Sequence, residues 1–426
     1  MSAAPPASPP PLGGSEPLRL PRLVGLSLVA YVLMLGYALA RPSTESLFLE
    51  TWGRDALPWA WVGVAVGAAL AVSGWQRLAR RLELAAVVAA VCAISGALLA
   101  LLLLAHQAGL HAASFLLYVW KDVYIVVLVE TFYAFGNVVF PLRTARWAYG
   151  FFGAMGSLGG ITGNLLVGRL ADRIGTAEVP WLVLVDLVLV GTLALVLSRW
   201  AGAGAPVAVA PRPGLLEGWR VVRGSRTLLL VLAMIAVVQV AINVVDFAFA
   251  GALERAFPDT DGRTGVIGQV YAAIDACTLV LNLLTGPVLR VVGVPGTLLG
   301  LPLVLGSACV GALALPGFAP IALTKVASKA FDYSLFRAAK EAVYLPLSYR
   351  EKTEGKAVVD MLTYRVAKGG ASALTLGMVA LAAQAWALPL VLGLVGAWLG
   401  LARAIGRRYR LPSDAGPSAA RPSEGA

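Results

Sequence analysis

The chain has 426 residues, of which 59% are hydrophobic and only 13% charged, and its mean hydropathy is +0.80. A soluble domain carries about 25% charged residues, so this balance excludes an ordinary soluble enzyme or binding module. The net charge of +11 does not argue for nucleic acid, because the arginines are spread over many short connections rather than gathered on one face.

Apolar runs of about 20 residues recur along the whole length, each long enough to cross a hydrocarbon core of about 30 Å. The expectation is an all-α membrane protein of about twelve spans. Residues 1–21, rich in Pro, Ala and Ser, read as a disordered tail. The first six spans fall near 22–40, 58–75, 84–105, 113–137, 147–170 and 179–198. The second six fall near 227–251, 265–288, 294–315, 318–345, 355–381 and 386–405, with a basic tail at 406–426. The longest connection, 199–226, is an Ala/Gly/Pro tract followed by LLEGWRVVRGSR, a basic amphipathic piece suited to a membrane surface. It divides the chain into a first half (22–198) and a second half (227–405), the six-plus-six layout of the major facilitator architecture.

Loop charges give the expected orientation. Arg77, Arg80, Arg81, Arg143, Arg146, Arg212, Arg220, Arg223, Arg226, Arg290 and the arginines after residue 402 fall on one side. Glu45, Glu50, Asp55, Asp259 and Asp261 fall on the other, so both termini are expected in the cytoplasm of a multi-pass inner-membrane protein. Arg169 and Arg173 dissent. Cys92, Cys277 and Cys309 lie in apolar runs and read as small buried hydrophobes, with no disulfide framework and no metal pair. His106 and His111, the only histidines, lack nearby carboxylates and make a poor metal or acid–base pair. No cofactor or metal site is expected.

The fifth span contains GFFGAMGSLGGITGN, in which Gly156/Gly160 and Gly159/Gly163 have the spacing of close helix packing. No Lys-Ser/Thr follows it, as a phosphate loop would require. In the fourth span Lys121 and Asp122 either neutralise each other or serve in gating, and Glu130 lies deeper without a local partner. The seventh carries Gln239, Asn243 and Asp246 on one broad face, and the eighth carries Asp275 and Asn282. Ionisable groups in membrane spans mark functional paths by default, because facing lipid at the bilayer centre costs about 2.5–3.5 kcal/mol or more.

The densest cluster lies between Ala322 and Lys368, which holds six of the seven lysines. On a regular helix Lys325, Lys329 and Lys340 fall within roughly 60° of one another, with Asp332, Tyr333 and Phe336 on or near the same stripe. On the eleventh span Lys356, Asp360, Tyr364 and Lys368 follow at intervals of four, and Asp360 could satisfy a lysine of the tenth. A cationic, aromatic-flanked stripe suits an organic anion. Lysine offers phosphate a mobile point charge, and aromatic rings offer a base a stacking face.

The segment KAFDYSLFRAAKEAVYLPLSYREKTEGKAVVDMLTYRVAKGGAS resembles the signature region of the ATP/ADP translocases of plastids and intracellular bacteria. The match runs through Tyr333, Ser334, Leu335, Phe336, Lys340, Glu341, Tyr344, Pro346, Leu347, Lys352, Gly355, Lys356, Ala357, Asp360, Arg365, Lys368 and Gly370. It departs at Glu354, Ala367 and Ala371. Fainter similarity covers Phe132–Asn137, Ala145–Tyr149 and Ile242–Asp246. The resemblance implies exchange of ATP for ADP without hydrolysis, a transport role for Lys340, and Asp246 in place of a family glutamate. Thr44, after Arg41, and Ala250 stand where the family has lysines, and Thr144 stands where it has a glutamate. Part of the family's charge set is therefore replaced.

These readings converge on a secondary nucleotide exchanger rather than an enzyme. Lys340, Lys329, Lys325, Tyr333, Phe336, Asn243, Asp246 and Lys368 are the expected substrate contacts. Glu130, Lys121, Asp122, Arg41, Glu341, Asp360 and Asp275 are the expected gating or coupling groups. A carrier of another organic anion, coupled to protons through Glu130 or Asp246, is the alternative. A non-transporting sensor or scaffold on the same fold ranks third. The lipid bilayer is the other expected partner, and the sequence leaves the oligomeric state open.

Overall fold

In a bilayer every backbone N–H and C=O must find its partner within the segment, which leaves helices or closed barrels as the spanning forms. Among the described residues of the computed structural model, every regular element is helical. The structure describes residues 20–79, 81–139, 142–201 and 215–409, so most of the expected tails and the Ala/Gly/Pro tract lie outside it. The side chains of Arg143, Thr144, Arg146, Tyr364 and Arg365 also lie outside the described ones.

The first half comprises α1 (Leu20–Trp52), α2 (Leu57–Ala79), α3 (Leu84–Gln107), α4 (His111–Val139), α5 (Leu142–Ile174) and α6 (Val179–Ala201). After the short helix α7 (Leu215–Gly224) come α8 (Arg226–Ala256), α9 (Thr260–Ala314), α10 (Phe318–Phe331), α11 (Arg337–Val343), α12 (Lys356–Ala380) and α13 (Ala387–Gly406). Helix α9 is two rods. Gly293 takes φ 73°, ψ 168°, a left-handed region open to glycine, and Pro295 follows it, so the chain turns back there. Helices α10 and α11 form one rod joined by a π-helical turn, Asp332–Phe336. A second π-turn, Glu351–Gly355, leads into α12. Counted this way the described chain has twelve rods besides the short α7; among the described residues nine helices, α9 counted as one, are long and apolar enough to cross a membrane by length and composition.

Local chemistry starts and extends these rods. Ser348 and Glu351 cap the twelfth element reciprocally: Glu351 Oε2 accepts from the Ser348 N–H at 2.9 Å and from its Oγ at 2.7 Å. Helix α1 runs to Trp52, twelve residues past the expected end at 40, which places Glu45 inside a span rather than in a loop. Pro42 and the small polar residues Ser43, Thr44 and Ser46 do not break the helix. The hydroxyls of Ser43 and Thr44 donate back to the carbonyls of Leu39 and Ala40, each at 2.7 Å, so they carry no unmet polar group into the bundle. Cys277 is exposed, against the expectation of burial, because that side of α9 faces outward.

Each half has its own apolar core, the first built on α1, α3, α4, α5 and α6, the second on α8, α9, α11, α12 and α13. A third core joins the halves at the end of the bundle where α1 finishes and α2 begins, here called the crown. There Phe48, Leu57, Trp61 and Val64 pack against Phe247, Phe249, Leu253 and Tyr271. Polar contacts fasten the same end. The Arg54 N–H donates to Glu254 Oε1 at 2.7 Å, and the Thr176 N–H donates to Asp261 Oδ1 at 2.7 Å. The opposite end, the base, carries Leu20, Gly406 and the amphipathic α7, where Gly218 lies against Val358 of α12.

The glycine stripe of α5 does what its spacing suggests. A Cβ at Gly159 would come within 2.1 Å of the Tyr31 carbonyl oxygen of α1, and one at Gly268 within 2.5 Å of the Asn164 carbonyl oxygen. We predict that Gly159→Leu, which cannot fit without moving α1 backbone, lowers the melting temperature in detergent and costs about 1–3 kcal/mol or more. Gly153→Leu, where a Cβ meets nothing within 4 Å, is the matched control and should leave it near the native value.

Candidate functional site

A cavity of about 360 Å³ lies between the halves, below the crown core, lined from α1, α2, α4, α8, α9, α10, the first π-turn and α12. Its wall carries five cations, Arg41, Lys121, Lys325, Lys329 and Lys368, and four carboxylates, Glu45, Asp122, Asp246 and Asp332. Aromatic rings of Tyr37, Trp61, Tyr118, Phe249, Tyr271 and Tyr333 fill much of the rest.

The charges form a connected belt. Lys121, only 1% exposed, sits 3.2 Å from Glu45 and 2.9 Å from Asp122. Glu45 also meets Arg41 one helical turn away at 3.4 Å, and Asp122 meets Lys368 of α12 at 3.9 Å. On the other half Asp246 takes Lys329 at 2.8 Å and Lys325 at 3.6 Å. Tyr271 joins the two groups: its hydroxyl donates to Glu45 at 3.0 Å and accepts from Lys325 Nζ at 3.1 Å. Rings cover the cations, with Arg41 3.5 Å above Tyr271, Lys325 3.9 Å from Phe249 and Lys121 4.0 Å from Tyr118. Buried ions cost several kcal/mol each unless paired, and here each of three carboxylates is shared between two cations.

Of the residues singled out from sequence, Lys325, Lys329, Tyr333, Asn243, Asp246, Lys368, Lys121, Asp122 and Arg41 line this cavity. The others lie elsewhere. Phe336 packs edge-on against Trp398 in the second-half core, with ring centroids 5.4 Å apart, so it is not placed to stack a ligand. Lys340 stands off the wall and meets Asp360 at 3.7 Å, and Glu341 pairs with Lys356. Asp275 accepts from Asn164 Nδ2 at 2.9 Å, a bond between the halves, and Glu130 is exposed outside the cavity lining. The reason Lys340 leaves the lysine stripe is the π-turn. Its extra residue shifts the phase of everything after it by about 100°, so Lys325 and Lys329 keep one facing and Lys340 takes another. Glu45 and the tyrosines 37, 118 and 271 also line the cavity, and the sequence does not single them out for it. Glu45 was read as a loop acid, and a tyrosine in a hydrophobic run carries no charge to mark it.

A twelve-rod bundle of two six-rod halves around a central charged cavity is the architecture of major facilitator-type membrane transporters. Solved structures agree at the level of the fold. A nucleoside transporter, NupG, superposes with a TM-score of 0.64 at 12% identity, covering 91% of this chain and all of that one. The POT family transporter PepTSo superposes with a TM-score of 0.66 at 12% identity, covering 92% of this chain and 98% of that one.

Residues 314–409 match the family model of the TLC ATP/ADP transporters. ADP,ATP carrier protein 2 of Arabidopsis thaliana chloroplasts is 24% identical over 331 residues, which is 67% of this chain and 52% of that protein. ADP,ATP carrier protein 1 of Chlamydia pneumoniae is 21% identical over 323 residues, 64% of this chain and 63% of that protein. The chain thus spans between about half and under two thirds of the length of these relatives. It resembles the ATP/ADP translocases as a divergent relative, most closely in its second half.

The belt makes a stability prediction. Lys121→Met leaves Glu45 and Asp122 buried without their shared cation and should cost about 3–5 kcal/mol, read as a lowered melting temperature in detergent. Lys121→Arg, which keeps a cation between Glu45 and Asp122, should recover part of the loss. No recovery would mean that Lys121 stabilises by packing rather than by charge.

Proposed function

We propose that this protein is a secondary transporter that exchanges nucleotides across a membrane by alternating access at the charged cavity. One observation carries the reading: cations contributed by both halves, Arg41 and Lys121 from the first and Lys325, Lys329 and Lys368 from the second, converge on one aromatic-walled cavity of about 360 Å³. Phosphate recognises such cations through charge-assisted hydrogen bonds. Tyr333 and Tyr37 offer the base a face. Because each engaged carboxylate is shared, an incoming phosphate can take over a lysine while the carboxylate keeps its second cation. The substrate swaps partners instead of stranding a charge.

The crown contacts supply the gate. Opening that end means parting Arg54 from Glu254 and Thr176 from Asp261 and separating the inter-half core, while the glycine-lined α5–α9 contact serves as the pivot. The base carries Arg77, Arg81, Arg220, Arg223, Arg290 and Arg403 and is assigned to the cytoplasm, with the protein in the cell's inner membrane.

The purified protein in liposomes loaded with a mixture of AMP, ADP and ATP should take up labelled nucleotide, and empty liposomes should not. Lys329→Ala, which leaves Asp246 with Lys325 alone, should lower the rate by about tenfold or more. Folded protein that moves none of the three nucleotides would sink the reading. The gate has its own check. In a background with Cys92, Cys277 and Cys309 replaced by alanine, a short bifunctional thiol reagent joining Arg54→Cys to Glu254→Cys should stop exchange, and a cleavable version should restore it on reduction. Exchange that continues through the linked crown would rule out its opening.

A further inference from the structure

The five cations and four carboxylates on the cavity wall leave a surplus of one positive charge. Glu45, Asp122 and Asp246 each bridge two cations and belong to the belt. Asp332 is different. It opens the π-turn between α10 and α11, lines the cavity beside Tyr333, and makes no salt bridge within 4 Å among the described residues, the cations acting on it from further off being Lys329, Lys340 and Arg337. Ala250 of α8 also lines the cavity, at its crown end, and adds no charge there.

A nucleoside monophosphate carries about two negative charges near neutral pH, and each further phosphate adds about one. Against a wall with one surplus positive charge, a single phosphate comes nearest to balance, and a di- or triphosphate brings uncompensated charge into a partly desolvated site. An unpaired carboxylate facing that space is a repulsive element of the kind that sets specificity. We propose that Asp332 is a charge-selecting residue and that the substrate class of this cavity is a nucleotide bearing one phosphate. This rests on the nucleotide-exchange reading of the same cavity.

The test uses the full chain in liposomes loaded with AMP, with magnesium chelated so that phosphate charge is uncompensated. Initial rates of exchange are measured for labelled AMP, ADP and ATP. The native protein should prefer AMP over ADP by about tenfold or more, with ATP weaker again, in keeping with one unit of charge acting at contact range. Asp332→Asn, which keeps the side-chain shape, should narrow the AMP-to-ADP ratio by about fivefold or more. Ala250→Lys adds a cation to the same cavity wall and should narrow it likewise, and it carries the test if Asp332→Asn does not fold. Restoring magnesium should raise ADP exchange relative to AMP. A native preference for ADP or ATP, or a ratio unmoved in variants that still exchange AMP, overturns the inference and leaves nucleotide exchange standing. Folded protein that exchanges none of the three overturns the exchange reading itself.

Discussion

Lys121 keeps its ammonium group inside a membrane bundle because two carboxylates are held against it, and much of the site follows from that pairing. Glu45 can supply one of them only if α1 stays helical past Pro42, with the Ser43 and Thr44 hydroxyls folded back onto their own helix. Asp122 supplies the other and reaches Lys368 on α12. From Glu45 the belt passes through the Tyr271 hydroxyl to Lys325 and Asp246. A charge on α4 is thereby tied to groups on α1, α8, α9, α10 and α12, on both sides of the central cleft. Removing any one cation leaves each carboxylate it held with a single partner, so the members depend on one another as buried polar networks do.

The apolar cores divide the work differently. Two of them hold each half together and involve no cation of the belt, so each half can move as a body. The third, with Phe48 and Trp61 facing Phe247 and Phe249, is the part of the packing shared between halves. Its polar fasteners are few and lie at rod ends, where a small rotation breaks them together. Small residues along α5 and α9 keep the backbones close at Gly168 and Gly265, a contact that tolerates rotation better than interlocked large side chains do.

Much of this was legible in the sequence. Hydrophobic run length gave the twelve rods, and the scarcity of lysine outside Ala322–Lys368 pointed to the second-half wall. The long signature match pointed to the same segment, where the TLC family model also falls. The failures have physical causes. Glu45 was hidden because Pro and Ser read as loop formers in water, whereas in a bundle intrahelical hydroxyl bonds make them tolerable. Phe336 and Lys340 were misdirected because periodicity assumes one twist throughout, and a π-turn resets the twist without any residue type that announces it. Cys277 was read by hydrophobicity, which cannot tell a lipid-facing surface from a protein core when both are apolar.

The near balance of charge in the cavity bears on why such a site would exchange rather than store its ligand. Five bare cations would hold a polyphosphate so firmly that release became slow, and binding must be weak enough for the ligand to leave. Shared carboxylates lower that grip without leaving any cation unpaired in the empty state. Each lysine then has two anions competing for it, one fixed and one mobile. Asp246 holds Lys329 at 2.8 Å and Lys325 at 3.6 Å, so both lysines already have a fixed anion within reach. The empty cavity is thus electrostatically closed on itself, whereas the cost of its return across the membrane depends on how well the belt survives the parting of the halves. Tyr271 is the narrowest link in it. Its hydroxyl bridges Glu45 to Lys325, and it sits on α9, the helix that packs closely against α5 of the other half.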